Sequence, residues 1–346
     1  LIPPKLHYGV RRYSFDMDFG LLSVTQFDAD RDLRGIGDEL ITQTELAKEA
    51  GFDLISMGEH HFTDDDQYLL NESCLSHVAE HVGDLRLVST LVLLPYHNPA
   101  RIAELGATLD LLTDGQFSMG VGLGYRQKEY DVFGVDRDDA VGRFAEGIEI
   151  IKRLWTEDSV TYDGEHFQLD DVSIRPQPVQ DPRPPLWAGA SNESSVRRAA
   201  RKTDTFLGAH VPFDLAKRQV EDFRDERAKA GLDEGEVGFI REAYVAETTE
   251  KAESIVREPL MGKYESYSSW GQDDVIGGDD FGSPWEKLKH ERFLVGTPEE
   301  VCADIERYKE AMDLDYIFLR TQFPGSSPED VHASIELFGD EVIPNV

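Results

Sequence analysis

The chain carries only two cysteines in 346 residues, Cys74 and Cys302, far apart and without metal-type spacing. That excludes a disulfide framework and a cysteine-based zinc site, and it fits a reducing compartment. No apolar run approaches the ~20 residues needed to span a bilayer. The first residues, LIPPKLHYGVRRY, lack the compact apolar stretch of a secretory signal, so a soluble, cytoplasmic protein is expected. Cations are scarce. Lys and Arg total 35 against 68 Asp and Glu, a net charge of −33. The acid is spread through DADRD, DDDQ, DRDD, GLDEGE and GGDD, which describes an acidic skin rather than a tail. Nucleic acid is excluded as a partner, because phosphate contacts need Lys and Arg. Lysine is the rarer cation, 12 against 23 Arg. The combination reads as adaptation to high salt, where screening removes self-repulsion. The unfolding midpoint is expected to rise from low to molar KCl, and a midpoint indifferent to salt overturns that reading.

No short-period repeat or low-complexity segment occurs. What recurs is an alternation of apolar runs with helical patterns. The runs Phe19–Thr25, Phe52–Met57, Leu85–Leu94, Phe117–Leu123, Leu186–Ala190, Phe206–His210, Val237–Ala246 and Tyr316–Phe323 read as parallel strands covered on both faces. Between them, Leu40–Ala50, Ala100–Leu112 and Arg143–Trp155 have helical spacing. Thr297–Met312 opens TPEE and Ser327–Phe338 opens SPED, as capped helices do. Eight strands alternating with helices predict a (β/α)8 TIM barrel as a single domain with insertions; a doubly wound open sheet is the alternative. Residues 159–185 read as a hairpin followed by a proline-rich connector. Residues 259–291, after strand 7 and rich in Gly, Ser, Asp, Tyr and Trp, read as a long lid loop, with Trp270 and Trp285 favouring a lid over a linker.

Three stretches carry candidate chemistry. The second strand ends at Gly58 in Glu59, His60 and His61, where an α/β enzyme places its polar groups. A carboxylate and two imidazoles there suit proton transfer or metal binding; alternatively one His is a core residue and the other a solvated one. Adjacent His residues point apart on an extended chain, which disfavours a metal hydrolase. Gly120, Gly122 and Gly124 in MGVGLGYR allow a flat ring or phosphate close to the backbone, or mark a tight strand exit; the run fails the dinucleotide fingerprint because no helix follows at once. Ser191–Ala200 (SNESSVRRAA) opens a helix, with Ser194, Ser195, Arg197 and Arg198 near its start. It is either an anion site or ordinary N-capping. His97 reads as polar decoration of a loop.

Together these stretches resemble bacterial luciferase and the luciferase-like flavin monooxygenases. The likeness rests on EHHFTDDDQYLLNES, on STLVLLPYHNPARIAELGATLDLLTDGQFSMGVGLGYRQKEYDVFGVD and on FLVGTPEEVCADI. It leaves residues 1–18 as an N-terminal arm, and YESYSSW is similar to part of the family's mobile lid. The resemblance implies the TIM barrel, reduced FMN supplied by a separate flavin reductase, and reaction with oxygen to oxidise a small organic substrate, an aldehyde or other carbonyl compound, in a homodimer. It implies His60 as the catalytic histidine, Glu59 beside the flavin, Ser194 and Ser195 with neighbouring Ser191 at the phosphate, and a non-prolyl cis peptide at Thr90–Leu91 shaping the flavin's seat. Two positions depart: Gly122 stands where luciferase has a reactive cysteine, and Leu123 where it has a phosphate-binding arginine. Arg126 or Arg197 would have to replace that cation. Relatives on the same barrel imply two alternatives, hydride transfer with a deazaflavin coenzyme and a flavin-binding subunit without turnover.

Overall fold

Apolar runs bounded by turn residues become eight strands: β1 (Asp18–Leu22), β2 (Leu54–Met57), β3 (Arg86–Leu93), β4 (Phe117–Gly122), β5 (Leu186–Gly189), β6 (Thr205–Ala209), β7 (Glu236–Val245) and β8 (Tyr316–Arg320). The computed structural model describes residues 17–346 except Val24, Asp65 and 277–280; the arm expected over 1–18 lies almost wholly outside the described residues. Each strand pairs in parallel with the next, and β8 pairs with β1, so the sheet closes on itself. The closed (β/α)8 barrel of the sequence reading is the observed fold, and the open-sheet alternative is discarded. Closure buries both strand faces, which is why the runs are continuously apolar rather than alternating.

Inside the barrel, Leu22, Leu54, Val88, Trp187, Leu207, Ile240 and Phe318 form one cluster. It is drawn from seven of the eight strands, a filled interior rather than a pore. The outer faces join the helices in a second, larger core. Thr297 and Ser327 cap their helices through the Glu300 and Asp330 N–H groups, as TPEE and SPED predict. The hairpin is present, Val160–Asp163 against Gln168–Val172.

Two expectations are corrected. The first run does not continue to Thr25: β1 ends at Leu22, and Gln26–Asp28 leaves the barrel to pair antiparallel with Asp66–Tyr68 across its mouth. The described residues of 259–291 are mostly helical rather than a long loop. Helix Thr249–Ser269 runs straight through Pro259, and a second helix covers Trp285–Arg292. Leu260, Lys263, Tyr264 and Tyr267 are its buried face, a three-and-four spacing that the proline and serines obscured.

Candidate active site

The carboxyl ends of the strands converge on a cavity lined by residues of several barrel strands and their following loops, among them Glu59, His60, Tyr68, Thr90, His210, Tyr267 and Arg320. Two hydrogen-bonded clusters build its walls. The first grows from EHHF. His60 and His61, adjacent in sequence, turn to different carboxylates as an extended chain requires. His61 Nε2 lies 2.6 Å from Glu59 Oε1, and His60 Nδ1 lies 3.3 Å from Glu129 Oε1. Glu129 also accepts the His61 backbone N–H at 3.0 Å, Arg126 at 3.0 Å and the Tyr96 hydroxyl at 3.3 Å. Its buried carboxylate therefore fixes both histidines. Tyr68, Tyr125, Tyr267 and Trp270 surround the His60 ring, with centroids 5.2–5.9 Å away. Arg126 stacks on Trp270 at 4.2 Å, tying this wall to the end of helix Thr249–Ser269.

Burial pushes the Glu59 carboxyl up, but His61 at hydrogen-bond distance and the more distant His97 outweigh it, so Glu59 sits below its ordinary 4.5. Burial pushes His61 down, and Glu59 and Glu129 outweigh that too, placing it above its ordinary 6.5. The carboxylate's contribution to stability is present above its unfolded pKa and is lost as pH falls through the lowered folded value. The imidazolium's contribution is present below its unfolded pKa and is lost as pH rises through the raised folded value. The gap in melting temperature between the wild type and Glu59→Gln should therefore be widest from about pH 4.5 to 6.5 and narrow on either side. A flat gap from pH 4 to 9 would show that no charged pair exists.

The second wall is one the sequence reading missed. Lys263 and Glu242 form a fully buried ion pair, and Glu242 also accepts the Tyr264 hydroxyl. Arg320 donates to Gln26, to the Gln322 carbonyl and to the Tyr267 hydroxyl, which lies 3.4 Å from the hydroxyl of Tyr68. The signal was present: IREAYV and YIFLR place charged residues inside strands buried on both faces, where unpaired charge is rarely tolerated.

Of the residues singled out from sequence, Glu59, His60 and Thr90 meet at the cavity. The Thr90–Leu91 peptide is cis. Leu91 and the glycines do not offer open space to a ring. A Cβ on Gly120 would lie 2.2 Å from the Ser89 carbonyl oxygen, one on Gly122 3.1 Å from Leu91, and one on Gly124 2.5 Å from the Tyr96 hydroxyl. The glycine run therefore makes room for the protein's own atoms. The Leu123 carbonyl accepts the Tyr130 hydroxyl at 2.7 Å. His97 is not loop decoration, since its Nε2 lies 3.7 Å from Glu59.

The helix expected at Ser194 begins at Glu193, capped by Asn192. Asn192 Oδ1 accepts the Ser195 N–H at 3.0 Å and the Ser194 hydroxyl at 2.9 Å, while Ser195 Oγ accepts the Ser191 and Asn192 N–H groups. The serines are thus engaged in the cap. Neither replacement cation is idle: Arg126 is held by Glu129 and the His61 carbonyl, and Arg197 pairs with Glu193 at the surface. Trp285 packs on Phe293 rather than over the cavity. Among the described residues no group of three His, Cys, Asp or Glu is placed to hold a metal.

A filled parallel barrel with histidines, carboxylates and phenols gathered at the carboxyl ends of its strands defines a barrel enzyme of the acid–base or redox kind. The sequence profile described as luciferase-like monooxygenase matches residues 17–314, and the chain belongs to that family, the flavin-dependent luciferase-like monooxygenases. It is 29% identical over 335 residues to the flavin-dependent trigonelline monooxygenase, oxygenase component, of Acinetobacter baylyi, covering 89% of each chain. It is 28% identical over 329 residues to the F420-dependent glucose-6-phosphate dehydrogenase of Microbacterium testaceum, covering 89% of this chain and 93% of that one. The crystal structure of monooxygenase RslO1 from Streptomyces bottropensis superposes with a TM-score of 0.82 at 24% identity, over 95% of this chain and 99% of that one; it shows the shared fold. No described helix is long and apolar enough to cross a membrane.

Proposed function

We propose that the protein is the oxygenase component of a two-component system, taking reduced FMN from a separate flavin reductase and using O2 to oxidise a small organic substrate. The observation that carries this is the pairing, on one cavity wall, of a fixed imidazole with an unsatisfied hydroxyl. His60 is held through Nδ1 by Glu129, and Thr90 Oγ1 is buried without a hydrogen-bond partner among the described residues. A flavin's ring carries polar edges able to satisfy such a hydroxyl, so the residues fit the group. Bound reduced flavin supplies the electrons and the oxygen chemistry. The chain's own residues would hold it: Thr90 at the ring edge, with Glu59 and His61 in the same wall, and the N–H groups at the start of helix Glu193–Lys202 for the phosphate. His60 moves a proton at Nε2, and the Tyr68, Tyr125 and Trp270 rings keep water from its face. FMN titration followed by oxygen uptake with a flavin reductase and NADH tests the reading. It fails if neither oxidised nor reduced FMN binds.

Hydride transfer with a deazaflavin coenzyme is the second reading, favoured by the F420-dependent relative. Titration with each reduced coenzyme separates the two. A homodimer in the cytoplasm, adapted to high salt, completes the proposal; sedimentation at low and molar KCl tests the assembly.

A further inference from the structure

The second wall of the cavity holds a cation, Arg320, with no carboxylate at hydrogen-bond distance among the described residues. Three charged side chains are buried there: Glu242, Lys263 and Arg320. Lys263 and Glu242 neutralise each other. His210 approaches Glu242 at 3.0 Å, but burial holds its imidazole at about 4, so it is neutral at pH 7. Tyr68 and Tyr267 are phenols. Asp66 accepts the Gln26 amide Nε2 at 2.9 Å.

The Arg320 guanidinium makes no ion pair among the described residues. All its acceptors are neutral: an amide oxygen, a backbone carbonyl and a phenol. A guanidinium has five N–H donors, and these three bonds leave two. A buried cation with neutral acceptors and spare donors, in the wall of a cavity, is costly unless a ligand brings the missing charge. The guanidinium carries one unit of charge, which a monoanion matches. The guanidinium's planar fork suits the two coplanar oxygens of a carboxylate. Tyr267 links this fork to the catalytic wall: its hydroxyl accepts from Arg320 at 3.2 Å, and its ring lies 5.9 Å from that of His60.

We propose that Arg320 is the substrate-anchoring residue and that the substrate is a small organic acid. Its carboxylate bonds the spare Arg320 N–H groups beside the Tyr267 hydroxyl, presenting the rest of the molecule to the His60 side of the cavity. The inference deepens the monooxygenase reading and rests on it for the reaction. The binding claim does not need turnover, so the two fail separately.

The test is binding of acid and amide pairs, acetate with acetamide and benzoate with benzamide, to the flavin-free and FMN-loaded protein by calorimetry. The wild type should bind at least one acid about tenfold or more tighter than its amide, the size expected of a charge-assisted pair. Arg320→Met should erase that preference, and Arg320→Lys, which keeps the charge and loses the fork, should retain part of it. Melting curves and far-UV circular dichroism establish that the variants fold; should Arg320→Met fail to fold, Arg320→Lys and Tyr267→Phe must still lower the preference. The proposal is overturned if no acid binds, if acid and amide bind alike in the wild type, or if the folded variants keep the preference at its wild-type size. It is also overturned if Arg320→Lys weakens only reduced FMN, because the guanidinium then serves the anionic flavin ring rather than a substrate.

Discussion

His60→Ala is expected to lower substrate oxidation by about 10²–10⁴-fold, the usual contribution of a positioned acid or base, while changing FMN affinity only a few-fold. Glu129 holds Nδ1 at 3.3 Å, which sets the ring's orientation and leaves Nε2 as the nitrogen available to the cavity. The surrounding Tyr68, Tyr125, Tyr267 and Trp270 rings hold the imidazole edge-on or tilted and leave it little freedom. The alanine variant keeps these rings and keeps Thr90, so flavin binding loses one contact among many. Glu129→Gln should act in the same direction by a smaller factor, through His60 and without touching the reacting atoms. A loss appearing in kcat more than in KM, with partial rescue by added imidazole, identifies proton transfer. Full turnover by His60→Ala removes the assigned role.

The largest expected effect on stability comes from Glu242→Gln. Lys263 is wholly buried on helix Thr249–Ser269, its ammonium against Glu242 and over the Tyr267 ring at 4.9 Å. Removing the carboxylate strands that ammonium, and breaking one side of a buried pair costs about 3–5 kcal/mol. For a domain of this size that lowers the melting temperature by roughly 5–12 °C. Burial already pulls Lys263 below its ordinary pKa. Part of the loss is therefore expected to return at alkaline pH, as the amine is released from its charge. Glu242→Leu combined with Lys263→Met should recover most of the stability, because the penalty lies in the unpaired charge and not in the absent pair. If the double variant is as unstable as the single one, shape rather than charge governs this wall.

The architecture was legible in the chain because a closed parallel sheet imposes a signal that local sequence can carry. The barrel strands are buried on both faces, so most read as continuous apolar runs, and the helix caps at Thr297 and Ser327 depend only on residues three apart. EHHF was legible for the same reason, as polar groups in a row at the end of such a run. The reading erred where a local rule met a tertiary exception. Pro259 suggested a loop, yet the helix passes it because Leu260, Lys263, Tyr264 and Tyr267 are buried on one face. MGVGLGYR left ligand approach and a tight strand exit open, and only the fold shows that added side chains there would meet Leu91, Tyr96 and the Ser89 carbonyl.

By itself, then, the order of residues determined the eightfold alternation, the caps, the acidic surface and the position of His60 at a strand's carboxyl end. Only the folded barrel decided which partners those groups meet. Glu129 comes to His60 across 69 residues, and Arg320 comes to Gln26 across 294. Hydrogen bonds and charge neutralisation act over a few ångströms, and no spacing along the chain encodes a distance that closure of the sheet alone creates.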